Sequence, residues 1–303
     1  MQVTDFRRDR NLKELTEHRT VVLPVACYET TITDNIHRYI PLHWHDEVQF
    51  VLVTQGEAFF QVNEEKTMVK AGEGLFINSG CLHLAEDLHD TGCVYICLNV
   101  APEFVLPREL YTAYVYPYIQ ATSLPYIFVN PQKEWGANIA DAMRSIHRLI
   151  SGQPPLYEID ITLQLALLWK NLIAGGFPLE YKQEERLKSE RMKRMLSYIH
   201  LHYAEKVSLE DIARAGQLSR SECCRYFKRL LHQSPLSYMI DYRIQQSLLL
   251  LRQPGAGVTE VAYRVGFNST SYFIDVFRKS RGMTPLAYKK SCSSRESIRY
   301  NQS

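Results

Sequence analysis

The sequence predicts an α+β protein: an N-terminal β-barrel or sandwich followed by two helices, then an all-α part in which two helix-turn-helix units are joined by a linker helix. Three observations lead there. Between Val21 and about Val100, short apolar stretches ("VQFVLVT", "AFFQV", "GLFIN", "CVYICLNV") are separated by turns ("QGE", "NEEK", "AGEG", "DTG"), the spacing of an all-β domain. From Pro131 the apolar residues recur at helical intervals. From Ser208 onward the chain repeats itself at an offset of 50 residues. A length of 303 residues with 46% hydrophobic content suits two domains with modest cores.

The N-terminus, "MQVTDFRRDRNLKELTEH", is charged from Asp5 onward and has no apolar segment of the signal-peptide kind. The most apolar later run, "LQLALLWKNLIAGG", is broken by Lys170 and is too short to span a bilayer. Seven cysteines without a CxxC pair or zinc spacing fit a reducing compartment. A cytoplasmic location without a membrane partner is therefore expected.

Trp135, Ile139, Ala142, Ile146 and Leu149 mark the first helix. After "SGQPP", a second helix runs roughly from Tyr157 to Ala174 with two apolar stripes: Ile161, Leu165, Leu168 and Leu172, and then Ile159, Leu163 and Leu167. A helix apolar on two sides must be covered on two sides. One face is expected on the barrel and the other on a second subunit, with Ile161, Leu165, Leu168 and Leu172 assigned to a homodimer interface. Burial of both faces inside one larger domain is the alternative. The polar stretch "GGFPLEYKQEERLKSE" reads as a linker whose later part has helical character. The expected domains are thus a barrel with its dimerisation helices over 1–177, a linker over 178–190, a helical domain over 191–291, and a flexible tail over 292–303.

Charge divides along the same line. Residues 1–189 carry 16 Lys+Arg against 24 Asp+Glu, a balance of −8, whereas residues 190–290 carry 17 against 8, a balance of +9. A basic C-terminal hundred residues on an acidic body suggests a polyanion partner for that half. In the repeat, Ser219 superposes on Ser269, Phe227 on Phe277, Lys228 on Arg278 and Pro235 on Pro285. Each copy has a first helix with a small residue for close crossing (Ala213; Ala262), a tight turn, and a second helix opened by a Ser N-cap. Gly266 occupies the second turn, where positive φ is easiest for glycine, and Gln217 holds that place in the first. Cys223, Tyr226, Phe227 and Leu230 form the inward stripe of the first copy, leaving Arg220, Ser221, Cys224, Arg225 and Lys228 outward. Phe273, Val276 and Phe277 pack inward in the second, with Thr270, Ser271, Ile274, Asp275 and Arg278 outward. Small polar residues with one or two arginines suit a helix lying in the major groove. Between the copies, "PLSYMIDYRIQQSLLLLRQ" reads as one long helix stopped by Pro254 and Gly255.

The stretch "VAYRVGFNSTSYFIDVFRKSRGMTPLAYKK" resembles the signature of the AraC/XylS family of bacterial transcription regulators, and the likeness extends over Met192 to Lys290. The resemblance implies two helix-turn-helix units held by the linker helix, reading successive major grooves about 34 Å apart on one face of double-stranded DNA. It places Ser221, Cys224 and Arg225 at base edges in the first unit and Thr270, Ser271, Ile274 and Asp275 in the second; Cys224 is an unusual residue there. Arg225 is the strongest candidate for reading a base, since a bidentate fork suits guanine. Arg220 shares that outward face. Arg278, Lys228 and the capping Ser219 and Ser269 are expected on phosphates, which position without reading sequence. RNA polymerase and a second copy of the chain are the other partners implied.

The stretch "LHWHDEVQF" raises a separate question. On a strand, period two would set His43, His45, Glu47 and Gln49 on one face. The N-terminal half resembles the cupin-like effector domain common in the same family. His43, Trp44, His45, Gln49 and Gly56 fit its first motif, with Gln49 where metal-binding cupins usually carry glutamate. Gly72, Gly80 and His83 fit the second, with Asn78 where proline is usual. Regulatory members generally use the barrel mouth for a small organic effector without a metal. The expected effector residues are therefore His43, Trp44, His45, Glu47, Gln49 and His83. A sugar is the suggested ligand class, because Trp44, Tyr28 and Tyr39 would stack on a ring while the polar groups bind hydroxyls. No cofactor and no metal is expected, with His43, His45 and His83 the candidates if one is bound. No catalytic motif appears, so the chain is not expected to be an enzyme. A DNA-tethered metal-dependent cupin enzyme, or a regulator whose barrel only dimerises, are the alternatives.

Overall fold

The computed structural model describes residues 8–300 apart from positions 10, 11, 21 and 254, with side chains as far as Cys292. The helix stop assigned to Pro254 lies outside the described residues. The chain forms two compact units, residues 1–190 and 191–303.

In the first unit nine strands make two antiparallel sheets. One is ordered β1 (Val25–Thr31), β8 (Val94–Val100), β3 (Val48–Gln55), β6 (Gly74–Ile77) and β9 (Tyr126–Val129). The other is ordered β2 (Ile40–His43), β7 (His83–Glu86), β4 (Glu57–Val62) and β5 (Glu65–Lys70). Strand β9 lies beyond the stretch the turn pattern marked as strand-like. Strand β3 is buried on both faces over its first six residues, which explains the apolar run Phe50 to Val53. Val48, Phe50 and Leu52 face one core, shared with the helices, and Val51 and Val53 face another between the sheets.

Helices α1 (Arg108–Tyr114) and α2 (Tyr116–Gln120) precede α3 (Glu134–Gly152) and α4 (Tyr157–Ala174), which pack together on the five-stranded sheet. Trp169 on α4 is fully buried against Phe50, Phe76 and Tyr118, and its indole N–H donates to Tyr114 O at 2.9 Å. This corrects the dimer assignment. Ile161, Leu165, Leu168 and Leu172 share the face of Trp169 and sit in the core of their own chain, at most 2% exposed. The outward stripe is the other one: Ile159, Leu163 and Leu167 are 57%, 58% and 48% exposed. The expected linker is also partly built in. Pro178 O accepts from Ser123 Oγ at 3.0 Å and the Lys182 N–H donates to Thr122 Oγ1 at 2.7 Å, after which helix α5 (Gln183–His202) begins.

The second unit contains the C-terminal part of α5, then α6 (Leu209–Ala215), α7 (Arg220–Leu231), α8 (Pro235–Leu251), α9 (Val258–Arg264), α10 (Thr270–Arg281) and α11 (Pro285–Tyr300). Helix α11 takes up most of the stretch expected as a tail. Gln217 and Gly266 both adopt positive φ, +54° and +90°, so the two turns share one backbone shape. A side chain at 266 would also collide, since an added Cβ would lie 2.8 Å from Ala204 Cα. Among the described residues no helix is long and apolar enough to cross a membrane.

Replacing Leu168 with Asp buries an unpaired carboxylate and should cost at least about 4 kcal/mol, unfolding the N-terminal unit. Circular dichroism and thermal melting check this; a folded but monomeric Leu168→Asp protein would restore the original dimer assignment.

Candidate functional site

The stretch 42–50 is not one strand. Strand β2 ends at His43 and β3 starts at Val48, because Trp44 turns its backbone to the N-terminal segment: its N–H donates to Leu12 O at 3.1 Å and its carbonyl accepts from Glu14 N at 2.9 Å. Two outcomes follow. Trp44 is half-buried with Lys13 Nζ 5.4 Å from its ring centroid, and it does not line the inner cavity. Glu47, a quarter exposed, also stays out of that lining, as does Tyr39; its backbone carbonyl, not its carboxylate, makes the shorter contact to His45 Nδ1, 3.0 Å against 3.6 Å. Trp44 and Glu47 therefore leave the candidate set; His45 is not in that lining either, but its buried ring lies 5.0 Å from that of His83, which is.

His43, His45 and His83 do come together. His43 and His83 are paired across β2 and β7, their ring centroids 4.0 Å apart, and His45 lies 5.0 Å from His83. One potential ligand atom from each falls within 4.8 Å of the others, and all three residues are buried. Each Nδ1 faces a backbone carbonyl two residues away: Pro41 O at 2.8 Å, Glu47 O at 3.0 Å and Cys81 O at 2.9 Å. A carbonyl only accepts, so Nδ1 carries the proton and Nε2 becomes the acceptor. His45 Nε2, His83 Nε2 and Gln49 Oε1 are buried without a hydrogen-bond partner. A buried polar atom left unsatisfied costs about 1–3 kcal/mol, and clusters of them mark functional sites.

The N-terminal segment adds two residues that the motif reading missed. Glu14 and His18 are buried and joined, His18 Nε2 to Glu14 Oε2 at 3.0 Å, and the same oxygen is 3.8 Å from His43 Nε2. The only trace in the sequence is an acid and an imidazole four apart in "KELTEH", inside a stretch whose charge suggests a solvated tail. Behind them runs a relay. Gln49 Nε2 donates to Cys97 Sγ at 2.7 Å, Cys97 Sγ to Asn99 Oδ1 at 3.7 Å, and Asn99 Nδ2 contacts His18 Nδ1 at 3.0 Å. The cavity among Glu14, His18, Tyr28, His43, Gln49 and His83 measures about 40 Å³. That holds a water or two but no sugar ring, for which pockets of roughly 300 Å³ and more are usual. Asn78, in the place of the expected proline, is buried and donates to both Tyr118 O at 2.8 Å and Leu124 O at 3.1 Å.

Burial lowers the affinity of all three imidazoles for protons. His43 is held well below the ordinary value, and His45 and His83 are pushed down to about 3, chiefly by desolvation and then by the neighbouring histidines.

On the helical unit, Ser219 and Ser269 cap α7 and α10. Ser219 forms a full capping box with Glu222, and Ser269 accepts from the Tyr272 N–H at 3.3 Å. Arg220, Ser221, Arg225 and Lys228 are exposed on α7, with Cys224 half-buried. Arg225 is 4.0 Å from Glu222, and Lys228 Nζ reaches His232 O at 3.4 Å. Ser271, Asp275 and Arg278 are exposed on α10 and Thr270 is half-buried. Ile274, expected outward, is half-buried against the core around Phe273 and Phe277. Arg243, overlooked in the sequence, braces this unit from α8: its guanidinium donates to Tyr203 O at 2.6 Å and Glu205 O at 2.8 Å.

Known proteins share both parts. Residues 26–111 match the family described as AraC-like ligand binding domain, and residues 212–291 a helix-turn-helix domain family. The chain is 64% identical over 286 residues to the HTH-type transcriptional regulator YdeC of Bacillus subtilis, covering 94% of this chain and 98% of that one. It is 22% identical over 256 residues to the HTH-type transcriptional activator RhaS of Escherichia coli, covering 81% and 86%. Among solved structures it is similar to ToxT from Vibrio cholerae, at 14% identity and a TM-score of 0.42, covering 88% and 96%.

The histidines carry a pH prediction. The unfolded chain protonates them near 6.5, whereas in the folded chain His45 and His83 take up a proton only near 3 and His43 is held well below its ordinary value. Stability of the N-terminal unit is therefore full above 6.5 and falls as pH drops below it, by up to about 1.4 kcal/mol per pH unit per histidine. Urea midpoints at pH 7 and pH 5 measure this; equal midpoints would contradict it.

Proposed function

Because this chain belongs to the AraC family of helix-turn-helix transcription regulators, we propose that it binds specific double-stranded DNA sites as a homodimer and answers to a small ligand held among its buried histidines. The observation that carries the DNA reading is the pair α7 and α10, each opened by a capping serine after a positive-φ turn and each presenting basic and small polar groups outward. Arg225 reads a base, with Arg220 and Ser221 beside it and Cys224 partly withdrawn. Thr270, Ser271 and Asp275 serve the second groove, while Ile274 contributes packing. Lys228 and Arg278 hold phosphates. The Ser219 and Ser269 hydroxyls are engaged by their own helices, so a phosphate would meet the helix N-terminus more than the hydroxyls themselves.

The apolar stripe Ile159, Leu163 and Leu167 supports a dimer through α4, since an exposed row at helical spacing is well suited to a second copy of itself. RNA polymerase is the partner through which bound protein would alter transcription, and the cytoplasm is where those partners meet. No catalytic step is assigned. The effector acts by favouring one arrangement of the chain for DNA, which requires a binding difference between two states.

Selection of bound sequences from a random DNA pool, followed by fluorescence anisotropy, tests the reading. Arg225→Ala should relax preference at one position by about 1–3 kcal/mol, while Lys228→Ala weakens all sequences alike and lowers the salt slope by about one. An even loss across sequences for Arg225→Ala would make it a phosphate contact, and absence of any selected sequence would remove the regulator reading. Leu163→Asp with Leu167→Asp should yield folded monomers by sedimentation; persistent dimers would place the interface elsewhere.

A further inference from the structure

Deepening the reading of the N-terminal cavity as a ligand site, we propose that its occupant is a divalent first-row transition-metal ion, bound by Nε2 of His43, His45 and His83 and by the carboxylate of Glu14. The argument starts from proton bookkeeping. Each Nδ1–H is committed to a backbone carbonyl, which turns every Nε2 into an acceptor and orients the ring from behind, the outer-shell arrangement of metal-bound histidines. Gln49 spends its N–H on Cys97, so its free oxygen adds another acceptor. Asn99 donates to His18 Nδ1, which leaves the His18 Nε2–H to donate to Glu14. Among the described residues, His45 Nε2, His83 Nε2 and Gln49 Oε1 are therefore buried acceptors that no donor reaches, with the Glu14 carboxylate beside the cluster. Acceptors cannot satisfy one another; a cation satisfies them together.

Size and chemistry narrow the ion. About 40 Å³ admits an ion with a water and excludes most organic effectors. Three imidazoles and one carboxylate suit zinc and its first-row neighbours, and are too rich in nitrogen for calcium or magnesium. The Cys97 thiol is occupied on both sides and is not offered as a ligand. Tetrahedral zinc with bonds of roughly 2.0–2.1 Å needs ligand atoms roughly 3.4 Å apart. The imidazole nitrogens lie within 4.8 Å and Glu14 3.8 Å from His43, so small side-chain rotations close the site. Glu14 belongs to the segment whose backbone pairs with Trp44, so a bound ion fastens that segment over the cavity.

The test uses the full-length protein stripped with a chelator and titrated with Co²⁺, then with Zn²⁺ in competition. The expected result is one Co²⁺ per chain with visible d–d absorption, displaced by Zn²⁺, and a higher melting temperature for the loaded form. His45→Ala with His83→Ala should abolish the absorption. Glu14→Gln, which keeps size and hydrogen bonding, should weaken binding at least tenfold, and Asn99→Leu, acting through His18, about 10–100-fold. Circular dichroism of each metal-free variant separates lost ligands from lost fold, and Glu14→Gln decides the matter if the double variant does not fold. No absorption from the folded wild-type protein, or equal binding by folded variants, overturns the proposal. DNA anisotropy with and without Zn²⁺ is read separately. Metal bound with unchanged DNA affinity sustains this site and removes its effector role; no metal but a response to another small molecule does the reverse.

Discussion

From Val48 to Val53 strand β3 has no solvent face, and much of the N-terminal unit follows from that. Its residues alternate between two cores, so the five-stranded sheet must be covered by helices on one side and by the second sheet on the other. The helix side demands a large apolar partner, which Trp169 supplies, and that commitment turns the whole Ile161 to Leu172 stripe inward. The sheet side takes Gln49, which lies opposite Asn99 on β8 and Ile77 on β6. A slip of one residue in that register would send Gln49 to the helices and remove the polar end of the space between the sheets.

That polar end is where the structure departs from ordinary packing. Buried polar atoms normally find partners, yet two imidazole nitrogens and an amide oxygen here lack them among the described residues. The backbone carbonyls that hold each Nδ1 make this outcome unavoidable, because they commit the only proton of each neutral ring. Desolvation then keeps the rings neutral. The arrangement costs stability, and a site that keeps such a cost is one organised around something it binds.

The helical unit works on a simpler principle: one supersecondary element used twice. Equivalent turns at Gln217 and Gly266, and serine caps at both second helices, reproduce the same local geometry from dissimilar residues. The copies are not equal in their outward faces. The first offers exposed Arg220 and Arg225, the latter 4.0 Å from Glu222; the second offers Arg278, 3.9 Å from Asp275, and its Ile274 is partly drawn into the core. Arg243 ties the middle of α8 to the loop after α5, with its stem covered by protein and its fork saturating two carbonyls.

Local pattern was enough for whatever depends on neighbours in sequence. The limits of α4, the caps at Ser219 and Ser269, the paired turns and the inward Phe227 and Phe277 follow from periodicity, side-chain chemistry and backbone preference, which act over a few residues. The gathering of His43, His45 and His83 was legible because two motifs carried them. What sequence left open depended on partners far along the chain. Two equally apolar stripes on α4 are indistinguishable until Trp169 meets Phe50 and Phe76. The strand through His43 and Val48 looks continuous until Leu12 and Glu14 take the hydrogen bonds of Trp44. Glu14 and His18 read as solvated charges until the tertiary fold buries them beside histidines from two other strands and loops. Only tertiary contact decides such matters, because burial and hydrogen-bond pairing are set by what the folded chain brings near, not by what stands next in line.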